Sequence, residues 1–294
     1  MKPPFGYYGA KQRIASQIIN HLPPHYCWVE AFCGSAAITI AKSPAPIEII
    51  NDMDDQIVNL FEQLRDNPEE LCRVVTLTPY ARTEFKKAKK RDDNLSAMEK
   101  ARRFLVATMM TVNGANGGEQ AGFSHSQSYS RQGKEARVNR WYNLPERIEL
   151  LVERLRAVRV ENQDARILIS KFSDRPATLI YLDPPYLMER SQTYAFDANE
   201  AKFHRELLDI CCRSNSMIFI SGYENELYNS VLTQERGWAK QHIQTTTRDT
   251  TGKDHARMEV VWKNKNFTDT LGKELPPINF TANEKKTNKI NPIR

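Results

Sequence analysis

Ala177-Thr178-Leu179-Ile180-Tyr181-Leu182 is an apolar, β-branched and aromatic run that ends abruptly at Asp183-Pro184-Pro185-Tyr186. Its composition and length predict a buried β-strand. Two successive prolines remove two backbone N–H donors and fix φ, so no sheet ladder continues through them. The chain must therefore leave the sheet at the strand's carboxyl end, the edge where open α/β sheets bind ligands. Asp183, the stiff Pro184-Pro185 turn and the Tyr186 ring are held at that edge. The set suits a flat heterocycle bearing an amine. Asp183 can accept one amine proton, the Pro184 carbonyl the other, and Tyr186 can stack on the ring. Read blandly, the same four residues are a strand ending in a proline turn with a solvated acid.

The rest of the chain is a strand–helix alternation interrupted once. Residues 26–31 and 46–51 read as strands, with a helix opening after Gly34-Ser35 and another over 56–64. Strands alternating with helices predict parallel βαβ units in one sheet. From about residue 68 the alternation stops, and helical segments over 96–110 and 145–156 flank a stretch that is neither. That stretch, 113–133, holds five of the twelve glycines and predicts a long loop or irregular hairpin; loops of this length inside a domain are usually functional. Strands resume at 159–162, 177–182 and 217–221, and 242–247 with 258–262 suggests a closing hairpin. The expected organisation is an α/β domain over 1–67 and 158–264, a mainly helical insert over 68–157, and a flexible basic tail over 265–294.

Charge supports that division. The chain carries a net +6, yet residues 81–159 hold 17 Lys or Arg against 9 Asp or Glu, while the remainder holds 25 against 27. A basic stretch of this kind is the footprint of a phosphate-backbone binder, although any single charge run is more often a solvated helix face. No apolar run approaches the ~20 residues that span a bilayer, and the N-terminus has no signal-peptide core. Five cysteines with no CxxC pair point to reduced thiols in a cytoplasmic protein and argue against zinc.

Val29-Glu30-Ala31-Phe32-Cys33-Gly34-Ser35 turns from strand to helix through one glycine, without the GxGxxG that a pyrophosphate requires. A nucleoside cofactor without phosphates, such as S-adenosylmethionine, needs only one close backbone approach. Asp52, at the end of the second strand, can bind ribose hydroxyls, and Asp164, after the third, can accept from an adenine amine. Each acid alone can equally be a helix N-cap.

These elements resemble the Dam-like DNA adenine methyltransferases. Tyr7-Tyr8-Gly9-Ala10-Lys11 is similar to their WxGGK motif, residues 29–35 to their VEPFxGxG loop, Ile50-Asn51-Asp52-Met53-Asp54 to their second-strand acidic element, residues 183–186 to DPPY, and Glu259-Val260-Val261-Trp262 to their last strand. The order matches the α group, and Val138 to Pro145 resembles the phage and prophage branch. Tyr7 replaces Trp, Ala10 a glycine, Ala31 a proline, and Ala36 stands where the second loop glycine would be. The resemblance implies a Rossmann-like, S-adenosylmethionine-dependent sheet with an inserted target-recognition domain. It implies that Tyr7, Lys11, Asp52 and Asp183 contact or enclose the cofactor, that Phe32 and Gly34 shape the loop beneath it, and that Asp183, Pro184 and Tyr186, with Pro185 in the same turn, act on the base; Glu30 and Asp164 are further candidate cofactor contacts.

The expected reaction is methyl transfer to N6 of an adenine flipped out of double-stranded DNA. Arg131, Lys134, Arg137 and Arg140 are the candidate phosphate contacts, and Asn113, Asn116 and Gln127 the candidate base readers. No metal is required. The tetrapeptide's chemistry also fits cytosine N4, and a DNA-binding protein with a decayed cofactor pocket is a further alternative. The recognition sequence and biological role stay open, as does oligomeric state, with a monomer favoured.

Overall fold

The computed structural model describes residues 3–5, 11, 14–90, 92–112, 121–126, 130–131, 133–187, 201–248 and 254–277. In chain order they form α1 (Ala15–Ile19), β1 (Cys27–Glu30), α2 (Ala37–Ala41), β2 (Ile47–Asn51), α3 (Asp55–Asp66), α4 (Pro68–Thr76), α5 (Arg82–Ala88) and α6 (Ala97–Met109). There follow β3 (Ser130–Arg131), β4 (Lys134–Glu135), α7 (Ala136–Tyr142), α8 (Leu144–Leu155), β5 (Val158–Glu161), α9 (Ala165–Phe172) and β6 (Thr178–Leu182). The chain continues with α10 (Ala201–Arg213), β7 (Met217–Gly222), α11 (Glu226–Val231), β8 (Ala239–Arg248), β9 (Asp254–Lys263) and α12 (Lys265–Thr270).

Seven strands form one sheet in the order β5-β2-β1-β6-β7-β9-β8. The first five are parallel, and β9 pairs antiparallel with both β7 and β8. All five residues of β6 and all six of β7 are buried, as expected where helices cover both faces of a parallel sheet. Strand order reverses at β1, which has β2 on one side and β6 on the other. The crevice beyond the carboxyl ends of β1 and β6 is thus the topological switch point, where such sheets bind ligands. The α/β, Rossmann-like expectation holds.

Three apolar clusters support the sheet. One contains β1, β6, β7 and β9 side chains with α9, α10 and α11; a second joins α1, Trp28 and Phe219 to α12. The third links α3 to α4, α5, α6 and α8 and runs on into Ile40, Ile50 and Val158. Helices of the basic stretch therefore share a core with the sheet's β2–β5 side, and packing shows no seam at residue 68. The reason is amphipathic register: Leu71 and Val75 of α4, and Ile148, Leu151 and Leu155 of α8, recur at helical spacing on one buried face.

The expected flexible tail needs correcting at its start. Asn264 caps α12, its Oδ1 accepting from Phe267 N at 3.1 Å, and Phe267 is fully buried against Phe219 at 5.4 Å between ring centroids. One aromatic residue in a polar segment is enough to anchor it. Residues 278–294 lie outside the described residues.

Candidate active site

Asp183 emerges from β6 half-buried, with Pro184 buried behind it. Three donors converge on Asp183 Oδ1: the Lys11 ammonium at 3.0 Å, the Tyr186 hydroxyl at 3.0 Å and the Ser221 hydroxyl at 3.1 Å. Lys11, in the turn before α1, is 4% exposed. It also reaches Glu259 Oε2 at 3.2 Å and donates to the Tyr186 hydroxyl. Burial alone would pull the Lys11 pKa down, but Asp183 and Glu259 outweigh it and hold the ammonium above its ordinary range. Tyr186 lies beside Tyr223, with centroids 4.6 Å apart and planes inclined by 59°. The strand edge thus presents an acid, a buried cation and two aromatic rings.

On the other side of the switch point, the β1–α2 turn is held by Asp52. Its Oδ2 accepts from Gly34 N at 2.8 Å and its Oδ1 from Asp54 N at 3.0 Å. Burial pushes the Asp52 carboxyl up to about 6 despite those bonds. Gly34 has φ 48°, and Ala36, in the position where a second glycine was expected, has φ 51°. The left-handed conformation is therefore kept at Ala36 without the residue that adopts it freely, at a cost on the order of 1–2 kcal/mol. Ser35 is 2% exposed and its Oγ has no hydrogen-bond partner among the described residues. A buried hydroxyl left this way is costly unless a ligand satisfies it, which fits a polar group bound in the turn.

Glu30 faces inward rather than into the crevice. Its Oε2 accepts from Thr39 N at 2.9 Å and from the Thr39 hydroxyl, so it locks α2 beneath the turn, and burial raises its pKa to about 7. Phe32 packs edge-on against Phe203. Asp164 caps α9 by accepting from Arg166 N at 2.8 Å, and both its oxygens meet the Arg166 guanidinium.

In the basic stretch, β3 and β4 form a short hairpin pairing Ser130 with Glu135 and Arg131 with Lys134. Lys134 is exposed, its ammonium 4.4 Å from the Tyr142 ring centroid; Arg137 is exposed and Arg140 half-buried. Tyr7, Asn113, Asn116 and Gln127, and the Arg131 side chain, lie outside the described residues.

Four site residues were missed by sequence reasoning. Ser221 lies near the end of β7 and Tyr223 just beyond it, on a strand that carries no punctuating motif. Glu259 belongs to β9, and the antiparallel pairing of Gly222 with Val260 places it just past the end of β7, at the same edge as Asp183. Asn51 is buried and ties three strand ends, donating to Ala31 O and Gln163 O at 3.0 Å each and accepting from Gln163 N. The only available signal for it was a polar residue closing an otherwise apolar strand.

Comparison with known proteins bears on this site. The profile of the D12 class N6 adenine-specific DNA methyltransferases matches residues 7–247. A curated relative, the type II methyltransferase M1.LlaDCHI of Lactococcus lactis subsp. cremoris, is 26% identical over 211 residues, covering 67% of this chain and 69% of its own length. The solved structure of precorrin 8w decarboxylase from Methanobacterium thermoautotrophicum covers 90% of this chain and 95% of its own at 9% identity, with a TM-score of 0.36, too low to carry weight.

Proposed function

The chain belongs to the D12 class N6 adenine-specific DNA methyltransferases, and from that premise we propose that it takes its methyl group from S-adenosylmethionine and holds a flipped-out adenine against Asp183, Pro184 and Tyr186. The observation that carries this is the convergence of three donors on Asp183 Oδ1. They fix the carboxylate at the switch point and leave Oδ2 as the oxygen assigned to the amine. The Gly34–Ala36 turn, Asp52 and the buried Ser35 hydroxyl would hold the cofactor, with Lys11 and Asp183 closing the site between cofactor and base. When bound, S-adenosylmethionine supplies an electrophilic sulfonium methyl.

The chain's residues prepare the amine. Adenine N6 is a weak nucleophile because its lone pair is delocalised into the ring. Hydrogen bonds from N6 to Asp183 Oδ2 and to the Pro184 carbonyl draw the amine toward a tetrahedral geometry and localise that pair. As N6 gains positive charge, Asp183 stabilises it, and because Lys11, Ser221 and Tyr186 already hold the carboxylate, little reorganisation is needed. Tyr186, backed by Tyr223, offers the flipped base a stacking surface worth ~1–3 kcal/mol, which offsets part of the few kcal/mol that extrusion costs. The helices and hairpin of the basic stretch would carry the duplex.

Expressing the chain in a host lacking DNA methylation and mapping modified bases by single-molecule sequencing tests this reading. N6-methyladenine in one short sequence context is expected. Methylation at cytosine N4, or none from a folded and expressed chain, would overturn it.

A further inference from the structure

Arg137 and Arg140 lie three residues apart on α7, on one helix face. α7 gives way to α8 after the single residue Asn143, and Arg147 sits in the first turn of α8. Trp141, adjacent to Arg140, is buried and donates from Nε1 to Thr78 O at 2.8 Å, which pins α7 to the end of α4. Arg140 stands close enough to Arg137 and to Arg147 for their charges to interact. Burial, reinforced by Arg137, holds Arg140 below the usual guanidinium range, and burial with Arg140 does the same for Arg147.

Among the described residues no carboxylate pairs with any of the three. Glu135, the acid facing the same neighbourhood, accepts from Ser126 N at 2.6 Å. Arg147 Nη2 donates to the Pro3 carbonyl, and at 3.4 Å to that of Pro4, while its buried Nε has no hydrogen-bond partner among the described residues. Two other half-buried arginines meet carboxylates: Arg154 meets both oxygens of Glu48, although its Nε also has no hydrogen-bond partner among the described residues, and Arg102 meets Glu84 and Glu99. Like charges brought together in this way repel, and an anion received among them would offset that repulsion. Guanidinium forks match a phosphate's paired oxygens.

We propose that Arg140 and Arg147, with Arg137 at the rim, together receive one backbone phosphate of the DNA substrate, where α7 and α8 meet Pro3 and Pro4. This rests on the methyltransferase reading above. It goes further by assigning a single phosphate to a pair of side chains and by adding Arg147, which sequence reasoning had not singled out. Arg147 then serves two roles, holding the Pro3 carbonyl and facing the DNA.

The test uses the full chain and a cognate duplex. Each phosphate that is no longer neutralised by a protein cation flattens the slope of log affinity against log salt by ~0.9. Arg140→Gln should therefore flatten the slope by less than ~0.9, because Arg147 still neutralises the shared phosphate, and Arg140→Gln with Arg147→Gln by ~0.9 in all. Arg140 makes no hydrogen bond to the described residues, so its substitution should leave thermal stability near the parent's and keeps the test independent of folding. A scan of duplexes with single neutral methylphosphonates should find one position that weakens the parent more than Arg140→Gln and has no further effect on the double variant. An unchanged slope for the double variant, a flattening there worth two phosphates, or the absence of such a position would overturn the proposal. A parent chain that neither binds nor methylates duplex DNA would instead overturn the underlying reading.

Discussion

Replacing Asp183 tests the chemistry only if the fold survives, and the structure decides which replacement is informative. Asp183 Oδ1 accepts from the Lys11 ammonium and from the Tyr186 and Ser221 hydroxyls. Asp183→Ala would leave those hydroxyls without their acceptor and the buried Lys11 with Glu259 as its remaining carboxylate. Removing one partner of a buried ion pair costs on the order of 3–5 kcal/mol, a large share of the ~5–15 kcal/mol that keeps a domain folded. Asp183→Asn keeps an oxygen at the Oδ1 position for the same three donors. It places an N–H₂ where Oδ2 is assigned to the adenine amine, so donor would face donor. Losing one preorganised hydrogen-bonding group at a reaction centre costs about 10²–10³-fold in rate, roughly 2.7–4 kcal/mol. Stability should fall by no more than about 1–2 kcal/mol, since one charged acceptor becomes neutral. The assay is single-turnover transfer of labelled methyl to duplex DNA at saturating cofactor and DNA, run beside calorimetric melting. Near-parent turnover by a well-folded Asp183→Asn variant would refute the assignment of Oδ2 to N6.

Two further perturbations separate the roles of neighbouring groups. Tyr186→Phe keeps the ring but removes a hydroxyl that bonds to Lys11 and Asp183, so a loss of about 1 kcal/mol in transition-state stabilisation is expected; Tyr186→Ala should lose ~1–3 kcal/mol more through stacking, and equal rate losses in the two variants would show that the ring contributes nothing. Glu30, raised by burial to about 7 from an ordinary value of 4.5, keeps its proton when folded but releases it in the unfolded chain between those values. Folding stability should therefore fall as pH rises from about 4.5 to 7, and Glu30→Gln, which retains an acceptor for Thr39, should flatten that fall in denaturant titrations; an unchanged pH slope would mean that Glu30 is not the group responsible.

The parallel strands were legible in the sequence because each is a short apolar run closed by a polar or proline break. β2, β6 and β7 lie within a residue of their expected bounds, as do α6 and α8. The closing hairpin was underestimated, since β8 and β9 extend to ten residues each through polar positions such as Gln244 and Thr245. Alternation marks burial, and cross-strand hydrogen bonding continues where burial ends. α4 and α5 went unseen for a related reason: charged residues make up three of nine positions in one and four of seven in the other, and only the spacing of Leu71, Val75 and Phe85 betrays their buried faces.

The site shows the same limit at finer scale. Motifs near strand ends identify residues the backbone must present, and Asp183, Lys11 and Asp52 all lie at the switch point. They do not tell whether a side chain looks out or in. Glu30 and Asp52 both close strands of the sheet, yet Glu30 turns under α2 to Thr39 while Asp52 turns to the Gly34 amide. That choice depends on where α2 packs, and α2 depends on a left-handed residue, Ala36, that no propensity favours. Glu259 is further from reach still. Its place beside Lys11 follows from the antiparallel register of β9 on β7, a pairing between segments far apart in the chain whose one-residue slip would turn the carboxylate to the opposite face. The second carboxylate on Lys11 is thus a property of sheet register, and it balances a buried ammonium that Asp183 would otherwise have to neutralise alone.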